Sequence, residues 1–255
     1  MVKKINLSKI TKKGKALFLA YDQGLEHGPS DFDDKNVDPN YIIKIAEQGK
    51  YNAVIFQKGI AEKYNNEIKK SKVPLIIKLN GKTNLVKGEP ISRQLCSVSE
   101  AISLGAVAVG YTIYIGSMYE NIMFTEFEKI EKEAHSKGLP VITWIYPRGK
   151  GIGKRTEREL MAYAARTGLE IGADIVKMHY NGNISDLKWA VKSSGKTKVV
   201  IAGGKKEDEK NLLKEVKEII DAGAIGMAIG RNVWQARNPL DITKKLRKVI
   251  FNNKD

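Results

Sequence analysis

A short apolar run, a loop rich in glycine or proline and a stretch of helical periodicity recur along the whole 255-residue chain. The apolar runs fall at residues 16–21, 53–56, 75–79, 106–111, 141–146, 175–178, 198–202 and 226–229. Each is nearly all apolar and bounded by Gly, Pro, Asn or Asp, the pattern of a parallel strand buried on both faces. Helical stretches are predicted at 39–48, 97–104, 119–137, 155–171, 184–194 and 207–222. Gly105, Gly138, Gly172 and Gly223 stand where helix C-caps are expected, just ahead of the next strand. Eight strands alternating with helices predict an α/β fold, a single (β/α)8 TIM barrel over residues 1–255. A doubly wound sheet is the rival, but the G-x-G-x-x-G turn it would need after the first strand is missing. No linker or low-complexity tract marks a second domain.

Composition narrows the class. With 42% apolar and 29% charged residues, the chain reads as a folded globule. No apolar run approaches the roughly 18 residues of a membrane span, and the Met1-Val2-Lys3-Lys4 start has no signal core. A single cysteine, Cys96, excludes an internal disulfide, and the histidines His27, His135 and His179 lack the spacing of a metal site. No metal, no cofactor and a reducing, cytoplasmic setting are therefore expected. The net charge of +15 raises nucleic acid as a partner. Yet only 8 of the 44 cations are arginines, and the lysines are scattered among Glu and Asp. That pattern favours a solvated surface or attraction for anionic substrates over nucleic-acid recognition.

Barrel active sites lie at the C-terminal strand ends, which are therefore read in order. The first strand ends in Tyr21-Asp22-Gln23-Gly24-Leu25-Glu26-His27-Gly28-Pro29, a polar loop suited to gripping hydroxyls, although Asp22 could equally be a turn residue. The fifth ends in Thr143-Trp144-Ile145-Tyr146-Pro147-Arg148-Gly149, where Trp144 and Tyr146 share a face. Arg148 beside the phenol is expected to ease its deprotonation. In the sixth, alternation places Lys177 on the inner face with Ala173 and Ile175, where desolvation would lower its pKa and free a nucleophilic amine. Lys78 has an equally apolar setting, so periodicity leaves both lysines open. The seventh and eighth strands end in Ala202-Gly203-Gly204-Lys205 and Ile229-Gly230-Arg231-Asn232, adjacent glycine loops whose N–H groups predict a phosphate site.

Taken together, these strand ends resemble the archaeal-type class I fructose-1,6-bisphosphate aldolases over essentially the whole chain. The resemblance implies a metal-independent, Schiff-base-forming barrel that acts on a phosphorylated sugar and assembles into homo-oligomers up to a decamer. It further implies that Lys177 forms the imine, that Tyr146 moves protons, and that Trp144 and Asp22 position the substrate. His27 would line the pocket. Gly203, Gly204, Gly230 and Arg231 would hold the C1 phosphate, with Ala202 beside them as a substrate-binding residue. For the second phosphate Arg148 is the expected partner, with Lys150 or Lys154 as alternatives. Gln23 departs from the family pattern, which commonly has histidine there. The related aldolase/transaldolase-like synthases of the 2-amino-3,7-dideoxy-D-threo-hept-6-ulosonate type share the barrel and the lysine. Glu26-His27 and Trp144 favour the fructose bisphosphate aldolases over them. Two readings from other classes are a basic nucleic-acid-binding protein and a metal-dependent aldolase or isomerase.

Overall fold

A computed structural model of the chain describes residues 5–204 and 206–251; Met1–Lys4, on which the N-terminal reading rested, and Lys205 of the seventh strand loop lie outside them. Eight parallel strands close into a barrel: β1 Ala16–Ala20, β2 Ala53–Gln57, β3 Leu75–Lys78, β4 Ala106–Ile115, β5 Val141–Pro147, β6 Ile175–Met178, β7 Lys198–Ala202 and β8 Gly226–Ile229. Each strand pairs with the next, and β8 closes on β1 through Ala16↔Gly226 and the three residue pairs that follow. The strands are buried almost throughout, as a sheet filled by side chains inside and covered by helices outside requires.

The helices follow the apolar periodicity with ends shifted by a few residues at most. Pro39–Gln48 forms as predicted, N-capped by the Asp38 carboxylate. Ser97 and Thr156 lie just outside Val98–Ser103 and Glu157–Glu170, where each closes a capping box with a glutamate. Gly105, Gly138, Gly172 and Gly223 all take positive φ, the left-handed turn that a C-cap needs. Two of the features that escaped the sequence pattern complete the barrel and its ring of helices. β4 does not stop at Tyr111 but continues to Ile115, because Thr112–Ile115 keep pairing with residues 144–147 of β5. Helices at Lys58–Lys63, Asn65–Ser71 and Pro239–Phe251 fill the ring, the last joined to the β1–β2 side by Tyr51 and Thr243 hydroxyls 2.8 Å apart in the core.

Two choices of side-chain size open the C-terminal end of the barrel. Ala20, Ala202 and Ala228 on β1, β7 and β8 leave room beside Trp144 on β5 and Lys177 on β6. Gly110 on β4 makes way for the indole, since a Cβ there would lie 1.9 Å from Trp144 Cζ3. No shift of a flexible chain end could relieve that overlap, because the ring is fully buried. Gly110→Ala should therefore displace Trp144 and destabilise the fold by about 1–3 kcal/mol, the usual cost of overpacking. Chemical denaturation monitored by tryptophan emission checks this; an unchanged midpoint and spectrum would place the indole elsewhere.

Candidate active site

The barrel mouth holds a cavity of about 500 Å³ lined by side chains from β1, β3, β5 and β6 and by the loops after β7 and β8. Alternation sets which residues reach it. Beyond β1, Tyr21 turns outward, its hydroxyl donating to Asn36 O at 2.7 Å, so Asp22 turns inward. On β5 and β6 the register pairs Trp144 with Lys177. Two residues further along each strand, Tyr146 and His179 stack at 4.5 Å between ring centroids.

Lys177, Asp22 and Lys78 form the ionic centre. Each is about 5% exposed. Lys78 Nζ lies 3.4 Å from Asp22 Oδ2, while Lys177 Nζ sits over the Trp144 ring, 4.8 Å from its centroid. Burial lowers the Lys177 pKa to about 8; the Asp22 anion opposes this and the Lys78 cation reinforces it. Burial pushes the Asp22 carboxyl up, but the two ammonium groups and backbone hydrogen bonding outweigh it and hold the carboxyl below its ordinary value. The arrangement is a deprotonatable amine beside a permanent carboxylate, which is the equipment for attack on a carbonyl.

Tyr146 differs from expectation. Arg148 does lie over its ring at 5.4 Å and eases deprotonation, but burial and the Asp22 and Glu26 anions outweigh that pull. The phenol is held well above its ordinary pKa and so carries its proton. His179 is kept neutral, its pKa lowered to about 4 by burial and by the Arg148 and Lys177 cations. Gln23 Nε2 and Trp144 Nε1 are buried donors without hydrogen-bond partners among the described residues.

The anion-binding candidates cluster at the rim. Arg231 donates to Gly204 O at 2.9 Å and approaches Asp31 at 3.5 Å, and Asp31 also holds His27 Nδ1 at 2.5 Å. Arg148 pairs with Glu26 at 3.0 Å. The expected role of the Gly203 N–H needs correction: it donates to Ala228 O at 2.9 Å and so extends the sheet ladder rather than facing an anion. A Cβ at Gly203 or Gly230 would meet Ile229 or Ala20 O within 2.8 Å, so glycine there serves close packing of the loops, with Gly204 supplying the left-handed turn. Lys150 is also misplaced by expectation, since it lines a second cavity of about 450 Å³ outside the mouth, with Ser117, Ile152 and Tyr163. Lys154 lines neither cavity and is exposed.

Asp22, His27, Trp144, Tyr146, Arg148, Lys177, Ala202, Gly203, Gly204, Gly230 and Arg231 all line one cavity. Sequence reading overlooked His179, although its place two residues after Lys177 on the same strand face was a usable signal. It also treated Lys78 only as a rival nucleophile. Among the described residues, no three His, Cys, Asp or Glu side chains gather as a metal site, and no helix is long and apolar enough to cross a membrane.

Residues 16–236 match the DeoC/LacD family aldolases. The chain is 48% identical to the class 1 fructose-bisphosphate aldolase of Thermoproteus tenax, over 95% of this chain and 92% of that one. Its fold superposes on an archaeal fructose 1,6-bisphosphate aldolase with a TM-score of 0.90 and 46% identity, covering 97% of this chain and 98% of the other. A second archaeal aldolase structure, in which the catalytic lysine is covalently bound to the carbinolamine intermediate of the substrate, matches with a TM-score of 0.89 and 46% identity over 96% and 97% of the two chains. The chain belongs to the DeoC/LacD aldolase family and, within it, to the class 1 fructose-bisphosphate aldolases.

Proposed function

We propose that the chain is a class I, Schiff-base fructose-1,6-bisphosphate aldolase, reversibly cleaving its substrate to dihydroxyacetone phosphate and glyceraldehyde 3-phosphate. One observation carries the assignment of roles: a buried lysine of lowered pKa lies beside a buried carboxylate and one strand from a buried phenol. In this reading the neutral Lys177 amine attacks the ketone carbon and the carbonyl oxygen becomes a hydroxyl. Tyr146 protonates that hydroxyl as water leaves, which yields a protonated imine and a phenolate. The cationic imine offsets the burial that otherwise disfavours the phenolate. The phenolate then takes the C4 hydroxyl proton as the C3–C4 bond breaks, and the restored phenol returns a proton to the enamine carbon. Each proton that Tyr146 gives is one it later recovers, so a phenol that starts protonated can run both halves of the cycle.

Asp22 and Trp144 position the substrate in this scheme, and the unpartnered Trp144 indole N–H supports that role. Arg231, with Ala202, Gly203, Gly204 and Gly230 around it, takes the C1 phosphate, and Arg148 with His27 the second. The same reading makes the chain one cytoplasmic domain that needs no cofactor and assembles into a homo-oligomer as large as a decamer. Leu85, Val86 and Met118, exposed at 85%, 81% and 69%, supply apolar surface that another copy would cover.

Borohydride reduction with dihydroxyacetone phosphate should attach the triose at Lys177. The trapping rate should rise with pH through about 8, since only the neutral amine attacks. Peptide mapping decides the site: a tag on Lys78 would overturn the assignment, and no tag with activity intact would remove the Schiff base. Arg231→Ala should raise KM for phosphorylated substrates about ten- to a hundredfold with a smaller effect on kcat, as expected for a charge-assisted contact remote from the breaking bond. Steady-state kinetics with an unchanged KM would put the phosphate elsewhere. Tyr146→Phe should lower cleavage by about 10²–10⁴ with substrate binding little altered. Near-normal turnover in that variant would take the phenol out of the proton path.

A further inference from the structure

Two buried lysines share one buried carboxylate in this barrel, and the geometry gives them unequal shares. Lys78, at the end of β3, is in ion-pair contact with Asp22, both side chains below a tenth exposed. Among the described residues Lys177 has no carboxylate in such contact and faces the Trp144 ring instead. A buried carboxylate left without a counter-ion is strongly unfavourable. If Lys177 were the sole partner of Asp22, losing its proton would strand the anion, and the amine would resist becoming a nucleophile.

Given the Schiff-base reading above, we infer that Lys78 is a positioning residue for the reaction: as the resident counter-ion of Asp22 it lets Lys177 shed its proton and attack while the carboxylate stays ionised. The proton leaves Lys177 for water in the cavity, Lys78 remains an ammonium, and the ionic centre becomes a neutral amine beside a closed ion pair. When the imine later forms and becomes cationic, Asp22 faces two positive charges again and stabilises the intermediate. Lys78 thus holds the carboxylate's charge and place through a cycle in which Lys177 changes charge more than once. The other groups around Lys177 do not supply this. The Glu26 anion and Lys177 interact, but Glu26 is paired with Arg148; His179 is neutral; and Tyr146 is protonated.

The test is the pH dependence of borohydride trapping with dihydroxyacetone phosphate in the full-length enzyme. Lys78→Met leaves Asp22 to Lys177 alone, so the half-maximal pH should rise by about one unit or more. Trapping at pH 7 should then fall roughly tenfold or more and recover at high pH, because one pH unit changes the neutral fraction about tenfold. Lys78→Arg, which keeps the charge, should hold the wild-type midpoint. Asp22→Asn should move the midpoint down, by removing the anion that favours the charged amine, and Lys78→Met with Asp22→Asn should bring it back toward wild type. A structural role for Lys78 would lower trapping equally at every pH with the midpoint unmoved, and that result would overturn the inference. If Lys78→Met fails to fold, by circular dichroism, an unmoved midpoint in Asp22→Asn overturns it equally. Wild-type enzyme that is not tagged at Lys177 would instead refute the Schiff-base reading on which the inference rests.

Discussion

A lysine buried at the mouth of a closed sheet is the constraint from which the rest of this site follows. Lowering the Lys177 pKa from 10.5 to about 8 corresponds to roughly 3 kcal/mol of penalty on the charged form. The sign matters. The folded state binds the proton more weakly than the unfolded chain, so stability is regained as pH rises from about 8 towards 10.5, and the full penalty applies below that window. At neutral pH the fold therefore carries a destabilised ammonium, and the surrounding barrel, with strands buried almost throughout, offsets it. The benefit is chemical: a fraction of the amine is already neutral where an exposed lysine would be almost wholly charged.

Strand register turns that constraint into a working geometry. One pairing, Trp144 with Lys177, sets the amine against an aromatic face and brings Tyr146 and His179 together one step further on. The neighbouring strand contributes by omission, since Gly110 has no side chain where the indole lies. A one-residue slip between β5 and β6 would turn all of these groups to the other face of the sheet. The helices that hold the strands in register need no part in the chemistry, and their caps are satisfied locally by Ser97, Thr156, Asn183 and Asp208.

Much of this was legible in the chain because buried parallel strands write a plain signal. Runs such as 175–178 and 226–229 coincide with β6 and β8, and the cap glycines sit in the left-handed turns assigned to them. Alternation decides which face a side chain takes, so the inward placing of Lys177 and Tyr146 at the cavity was legible, though not their roles. What alternation could not weigh is competition among charges. Arg148 alone would prime the Tyr146 phenol, yet burial and the Asp22 and Glu26 anions together raise it, and Glu26, 122 residues from Arg148 in sequence, also holds that guanidinium. Lys78 and Lys177 were indistinguishable by pattern; only the fold shows which of them rests against Asp22. Gly203 was read correctly as lining the cavity but for the wrong reason, since its N–H belongs to the β7–β8 ladder.

The rim repeats the ion pairing of the centre, with more exposure to solvent. Arg148 and Arg231 are each held by a carboxylate, Glu26 at 3.0 Å and Asp31 at 3.5 Å, but both arginines are partly exposed where the central trio is not. Each rim guanidinium keeps one side open to solvent, where a phosphate dianion with fork-matching oxygens would meet it, while the Glu26 and Asp31 carboxylates stay largely buried. The buried Asp22–Lys78 pair has no such open side, and removing either partner leaves a desolvated charge. In the proposed reaction the two kinds of ion pair would divide the work: those at the rim, open on one side, would receive the phosphates, and the closed pair at the centre would keep its charges fixed around the amine that must change its own.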